Sequence, residues 1–457
     1  MNVFKSIFPF TQEIIAEYPE MNKTQMDHAK KNATIAFSEW QNKTFAERAA
    51  ILIRAAEILL KNKQEYATLI THEMGKIITE AIAEVEKCAL VCNYYAAHAE
   101  KFLANENLVT NPLKSFVTYE PLGAIFGIMP WNYPFWQVFR FAAPTLMAGN
   151  VVFLKHAPNV MGCTIAIEKI FEEAGAGNGV FQSLIIDVPD IETFVGDRIV
   201  QAVTLTGSGN AGSSFASLAG KHLKKSVLEL GGSDALIVLK DADIREAAKV
   251  AIQSRMQNAG QSCIASKRFI VEKNVHDEFV HEILHLVHSL KQGNPFSTEI
   301  TTGPMARIDL AEKLEKQMNA SIQKGALLKT GGQRKDCNFI PGILLNIKKG
   351  MPASCEEIFG PLAAVIAAND EEDAIAIAND TEYGLGASIW TEDLDKGMHY
   401  AKKILSGSVF INALVKSDPA MPFGGIKKSG YGRELGKWGI NEFVNTKTVV
   451  VQHNDKE

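Results

Sequence analysis

The sequence predicts an α/β protein with two parallel sheets, and three observations carry that prediction. The chain has 457 residues, more than one ordinary hydrophobic core organises, so two domains or three pieces are expected. From residue 120 onward, short continuous apolar runs alternate with segments of helical periodicity. Apolar strands without polar alternation, separated by crossover helices, belong to parallel sheets covered on both faces.

The first hundred residues read as helix. "TFAERAAILIRAAEILLKNK" opens on a capping box from Thr44 to Glu47. Leu52, Ala55, Ala56, Leu59 and Leu60 then form an apolar stripe at helical spacing. "EAIAEVEKCALVCNYYAAHAEKFL" continues the helical pattern, and "NPLKSFVTYEPLG" at 111–123 is β-like. Next come the strand candidates "AIFGIM", "VVFL", "SLIID", "AVTL" and "SVLEL", with helices at 133–148, 160–175 and 211–223. "ELGGSD" at 229–234 is the seam between two halves. Beyond it, "ALIVL", "RFIVE", "AAVIA", "SIW" and "SVFIN" alternate with helices near 242–258, 275–291, 308–324, 371–378 and 394–405. The tail "EFVNTKTVVVQ" is β-rich with alternating polar residues. It and 111–123 lie outside the two sheets and can pair with each other or with a second subunit.

Composition narrows the class. A hydrophobic fraction of 46%, a charged fraction of 22% and a net charge of −5 are those of a soluble globular chain. Without a dense Lys/Arg run, they argue against a dedicated nucleic-acid binder. The most apolar stretch, 122–154, is interrupted by Pro130, Pro134, Arg140 and Pro144, and reads as buried core, not as a membrane span. The opening "MNVFKSIFPFTQE" lacks a basic-then-apolar signal. Six cysteines, with no CxxC pair and no Cys/His cluster at ligand spacing, point to neither a disulfide framework nor a metal site. A reducing cytoplasm is the expected setting.

Several stretches could carry chemistry, each with a plainer alternative. In "QNAGQSCIAS", Cys263 is either a small core residue or a nucleophile beside hydrogen-bond donors. In "VTLTGSGNAG", a strand ends, glycines follow and a helix begins; Gly207, Ser208 and Gly212 make either an anion-binding helix start or an ordinary strand–helix turn. Lys155 ends an apolar strand, where a sheet binds ligands or where a lysine is simply solvated. Glu229 sits between Leu228 and Leu230 in an otherwise apolar run, as a general base of raised pKa or as a carboxylate fixed by backbone N–H groups. Asn132, in "IMPWNYPFW", is an oxyanion donor or a turn residue. "CEEIFGPLAAV" and "PFGGIKKSGYGRELG" are ambiguous alone.

Taken together, and in this order, these motifs resemble the aldehyde dehydrogenase superfamily over nearly the whole chain: PWNYPF, the strand-end lysine, TGS with a second glycine five residues on, ELGG, GQSC, EEIFGP and PFGGIKKSGYGREL. "LKHAPN", "LELGGSD", "KKSGYGRELG" and the abbreviated N-terminus are similar to the short bacterial NAD(P)-dependent succinate-semialdehyde dehydrogenase branch. The resemblance implies a Rossmann-like cofactor domain over 1–110 and 124–230, an α/β catalytic domain over 231–425, and a small β oligomerisation arm from 111–123 and 443–457. By residue, it implies Cys263 as nucleophile, Glu229 as general base, and Asn132 with the Cys263 N–H as oxyanion hole. Lys155 and Glu357 match ribose-holding residues, Ser208 the pyrophosphate donor, and Phe359 packs near the nicotinamide ribose; Trp131, Gly207, Gly212 and Leu230 complete the cofactor set. A homodimer or homotetramer acting on a small aldehyde is implied, with NADP, NAD or both as cofactor.

Two departures and one lone cation refine this. Three positions after the strand-end lysine, where the family often has an acidic residue facing the adenosine 2′-hydroxyl, stands Pro158. That removes a clash with a 2′-phosphate and leaves Lys155 and His156 as nearby cations, so NADP is expected to be accepted. Ser233 follows ELGG where many members have Lys or Asn, a branch mark. Arg140, eight residues after Asn132, is either the seat of a substrate carboxylate or a partner of a structural one; Ser417 and Arg307 are further candidates for that pocket. The alternatives are a broader aliphatic or aromatic aldehyde dehydrogenase, a coenzyme-A-dependent acylating enzyme, which Glu229 argues against, and a silent binding homologue.

Overall fold

The computed structural model of the chain describes residues 2–108 and 114–451. Two large sheets organise it. The first has six strands in the order Gly430–Tyr431, Lys225–Glu229, Val200–Thr206, Ala124–Met129, Val151–His156 and Phe181–Ser183. All pairings are parallel except that of Gly430–Tyr431 with Lys225–Glu229. The chain walks outward from Ala124–Met129 in one direction, then resumes on its other side with Val200–Thr206. This reversal is a topological switch point, and the crevice outside the strands' carboxyl ends is where such sheets bind ligands.

The second sheet has seven strands, in the order Leu327–Thr330, Gly342–Leu345, Leu362–Ala368, Arg268–Glu272, Ala235–Val238, Gly386–Trp390 and Ser408–Ile411. Only its Leu327–Thr330 edge is antiparallel. Separate apolar clusters cover its two faces, one around Ile237, Ile270 and Ile389, the other around Leu236, Phe269 and Val365. That double burial is why these strands are uninterrupted apolar runs. A third, antiparallel sheet joins Val444–Val451, Lys114–Pro121 and Glu106–Leu108. The expected arm pairing therefore forms within one chain; the ends of that expectation at 111–113 and 452–457 lie outside the described residues.

The helices follow their sequence patterns closely. Thr44 caps Phe45–Lys61 through its Oγ1 and the reciprocal Glu47 carboxylate. Leu52, Ala55, Ala56 and Leu59 are buried, but Leu60 is exposed, one position beyond the stripe. Two expectations need correction. The chain does not open on helix: Val3–Ile7 and Ile14–Pro19 form an antiparallel hairpin first. Its Ser6 hydroxyl bonds the buried Glu73 carboxylate, a tertiary anchor that no local periodicity announces. The strand expected over "SLIID" is instead Phe181–Ser183, because only those residues pair with Val152–Leu154 at the sheet's edge. Ile185 then turns its carbonyl to the N–H of Met21.

Candidate active site

The site lies where the two large sheets meet, and its centre is the turn before Arg268–Glu272. After the helix Ile244–Met256, residues Asn258, Ala259 and Gly260 take positive φ of 54°, 50° and 71° in succession. Two non-glycine residues in that region store strain, which the surroundings must hold in place. They do so by hydrogen bonds. The Asn258 N–H donates to Glu80 at 2.9 Å, its Nδ2 donates to the Asn132 carbonyl at 2.7 Å, and Gln261 Nε2 donates to the Asn258 carbonyl at 3.1 Å. Lys267 Nζ donates to the Ser262 carbonyl at 2.9 Å and also bonds the Cys263 carbonyl.

Cys263 is half-buried, and two cavities share it. One, of about 200 Å³, is bounded by Lys87, Trp136, Arg140, Ser417 and Phe423. The other, of about 170 Å³, is lined by Trp131, Asn132, Ser208, Leu230, Glu357 and Phe359, with Gly207 among its walls. Burial pushes the Cys263 thiol up to about 11, while the Arg140 and Lys267 cations oppose that rise. The Cys263 N–H has no hydrogen-bond partner among the described residues. Asn132 is buried, and its Nδ2 spends one hydrogen on the Gln261 carbonyl at 3.1 Å, leaving the other for a ligand. Its backbone carbonyl is pinned by Lys76 Nζ at 3.0 Å, itself paired with Glu84, whose other oxygen accepts from the Phe135 and Trp136 N–H groups.

The second cavity has the features of a dinucleotide cradle. Ser208 caps the helix Gly209–Lys221, with its Oγ accepting from the Ala211 N–H at 3.4 Å, so the helix start and its free N–H groups open at the sheet's switch point. A Cβ on Gly212 would strike Leu230 at 2.5 Å, and one on Gly231 would strike Glu357 at 2.4 Å, so both glycines are fixed by close packing. Glu357 accepts from the Gly232 N–H at 3.0 Å and faces Lys267 at 3.8 Å, while Phe359 meets Trp131 edge-on at 5.8 Å. Lys155 is buried at the end of its strand, its ammonium without a hydrogen-bond partner among the described residues. These unspent donors fit a phosphate-bearing, ribose-bearing cofactor.

Glu229, Arg140, His156 and Arg307, all singled out by sequence, lie outside the cofactor-side cavity, and Arg140 among them takes the structural of its two readings. Glu229 lines neither cavity; its buried carboxylate has no hydrogen-bond partner among the described residues and lies against Gly424 and toward Glu434. Burial and the Glu434 charge hold it well above the usual carboxylate range. Arg140 reaches the first cavity but is paired with Glu434, bonded to Thr206 Oγ1 at 3.3 Å and stacked on Phe423 at 4.6 Å. His156 is not a cation beside Lys155. It is fully buried, with Nε2 bonded to the Pro134 carbonyl at 2.8 Å and the Ala157 N–H donating to Nδ1 at 2.9 Å, and burial lowers it to about 4. Arg307 lies outside both cavities, paired with Asp309. The sequence did not single out Lys87, Gln137, Lys267 or Glu80. Gln137 lies in both cavity walls, and only its position in a helix read as plain core hid it.

The sequence profile of the Aldehyde dehydrogenase family matches residues 2–449. The chain belongs to the aldehyde dehydrogenase family. Similar curated members of this family include a probable succinate-semialdehyde dehydrogenase [NADP(+)] of Synechocystis sp., 47% identical over 97% of this chain and 98% of that one. The succinate semialdehyde dehydrogenase [NAD(P)+] Sad of Escherichia coli is 42% identical over 97% of both chains. Among solved aldehyde dehydrogenase structures, succinic semialdehyde dehydrogenase from Streptococcus pyogenes in complex with NADP+ superposes with a TM-score of 0.96 at 36% identity, covering 98% of this chain and all of that one. Among the described residues, no helix is long and apolar enough to cross a membrane, and no cluster of His, Cys, Asp and Glu could hold a metal.

Proposed function

We propose that this aldehyde dehydrogenase oxidises succinate semialdehyde to succinate and accepts NADP, with NAD as a second cofactor. The observation that carries the reading is Cys263 in the common wall of two cavities, one for an aldehyde and one for a dinucleotide. The names of the Synechocystis and Escherichia coli relatives support both substrate and cofactor. Pro158, exposed near Lys155, supports NADP by offering no carboxylate against a 2′-phosphate.

The roles follow from chemistry. The Cys263 sulfur, as thiolate, bonds to the aldehyde carbon while the carbonyl π pair moves to oxygen. That oxyanion takes the free hydrogen of Asn132 Nδ2 and the Cys263 N–H, each preorganised donor being worth about 3 kcal/mol. The Cys263-bound carbon becomes a thioester by losing its hydrogen as hydride, for which nicotinamide, when bound, would be the two-electron acceptor. Glu229, its side chain turned from Glu434 toward the sulfur, takes a proton from the hydrolytic water as the water oxygen bonds to the thioester carbon; the C–S bond then breaks, releasing the acid and returning the Cys263 thiolate. A base held above the usual carboxylate range is matched to that task. Lys155, Ser208, Glu357 and Phe359 would hold the cofactor, with Trp131, Leu230, Gly207 and Gly212 shaping its cradle.

The division into a cofactor domain (1–110, 124–230), a catalytic domain (231–425) and an arm (111–123, 443–457) is proposed with it. Open edges at Glu106–Leu108 and Val444–Val451 support a homodimer or homotetramer. Six free cysteines suit a reducing cytoplasm.

The test is nucleotide reduction with succinate semialdehyde, straight-chain alkanals and benzaldehyde against both cofactors, with Cys263→Ser as control. Succinate semialdehyde should give the highest kcat/KM, with NADP at least equal to NAD. Equal kcat/KM for uncharged aldehydes would replace the substrate with a broader class. An NAD preference of about a thousandfold would remove the NADP assignment, and activity surviving Cys263→Ser would remove the nucleophile.

A further inference from the structure

The cavity on the aldehyde side of Cys263 is walled by one face of the helix Ile78–Phe102, where Glu80, Glu84 and Lys87 recur at helical spacing. Facing them are residues 414–417 and Phe423. Most charges there are already spent. Arg140 is paired with Glu434, and Glu84 with Lys76. Glu80 accepts the Asn258 N–H, and burial raises it to about 7. Lys416 is exposed at the rim. Lys87 is different. Its ammonium donates to the Ser417 hydroxyl at 2.7 Å and lies over the Trp136 ring at 4.1 Å, with no carboxylate in ion-pair contact among the described residues.

A half-buried ammonium held only by a hydroxyl and an aromatic face is short of a counter-ion. The Ser417 hydroxyl accepts from Lys87, so its own hydrogen is free to donate. Together they present donors to one anionic group at the far side of a cavity whose near side is the reactive sulfur. We propose that Lys87 Nζ and the Ser417 hydroxyl seat the distal carboxylate of the aldehyde substrate, making Lys87 the residue that selects ω-carboxylated over uncharged aldehydes. This rests on the substrate reading above. It also gives Arg140 a different part: compensated by Glu434, it walls the cavity and leaves the unpaired charge to Lys87.

The site has a built-in pH signature. Burial first, then the Arg140 charge, lowers Lys87 to about 8, against the opposing pull of Glu84 and Cys88 on its own helix and of Asp418 beyond Ser417. The ammonium is present below that value and lost above it, so carboxylate selection should fade as pH rises.

The experiment measures kcat/KM for succinate semialdehyde divided by kcat/KM for propanal, a ratio in which titrations of Cys263 and Glu229 cancel. In Lys87→Met the ratio should fall about thirtyfold, the worth of a charge-assisted hydrogen bond. In Lys87→Arg it should stay near the wild-type value and lose its pH dependence, because a guanidinium does not titrate in this range. In the wild-type enzyme it should decline between about pH 7 and 9.5. A Lys87→Met ratio within threefold of wild type, or a flat wild-type profile, overturns the proposal; if Lys87→Met does not fold, the wild-type and Lys87→Arg profiles decide it alone. A wild-type ratio near one would instead sink the substrate reading itself.

Discussion

At the scale of single residues, Cys263, the proposed nucleophile, is held protonated in the free protein. Burial pushes Cys263 up to about 11, and Arg140 and Lys267 only partly offset it. The thiolate is the reactive form, so its fraction grows with pH until that value is passed. The rate of Cys263 alkylation by iodoacetamide should therefore climb about tenfold per pH unit from neutrality to about pH 10. Subtracting the labelling of Cys263→Ser removes the signal of the exposed Cys355. A plateau below pH 8 would mean that the thiolate is already poised without cofactor. Residue identity pointed to the place: Asn132 and Cys263 line one cavity, each with a donor unspent among the described residues, and the roles their motifs imply remain the proposal made above. Glu229 shows the limit. Its motif implies a base, but which way a buried carboxylate points depends on Gly424 and Glu434, nearly two hundred residues or more away in sequence.

At the scale of elements, the turn 257–263 matters most. Gly260 sits at φ 71°, and a Cβ there would come within 2.3 Å of the Gly360 carbonyl oxygen. Gly260→Ala should cost about 1–3 kcal/mol in local strain and move the sulfur. Lower thermal stability together with reduced kcat is the expected outcome, and a variant matching wild type in both would show that the turn relaxes freely. The same carbonyl accepts from Arg255, so the strand-to-helix packing of the second half reaches directly into the turn that carries Cys263. Helices such as Phe45–Lys61 and strands such as Ala235–Val238 were legible because periodicity and capping are local properties. The opening hairpin was not, because its strands are largely exposed and its anchor is Glu73 on a distant helix.

At the scale of the whole molecule, the small sheet of Glu106–Leu108, Lys114–Pro121 and Val444–Val451 stands apart from the two large ones. Leu108 and Val450 are exposed apolar side chains on its edge strands. Unpaired edges of this kind invite a second copy. Light scattering should return the mass of two or four chains at micromolar concentration, and a clean single-chain mass would overturn the oligomer.

The sequence by itself determined the class of the fold, the order of the strands' apolar runs, and the motifs that identify the family. These depend on local pattern and on residue type at fixed spacing. Only the tertiary structure decided which charges are spent. Arg140 keeps two readings until Glu434 closes on it, His156 reads as a cation until burial keeps it neutral, and Lys87 goes unremarked until Ser417 and Trp136 frame it in a cavity. Charge compensation and desolvation are set by neighbours brought from remote parts of the chain, and no spacing in the sequence records them.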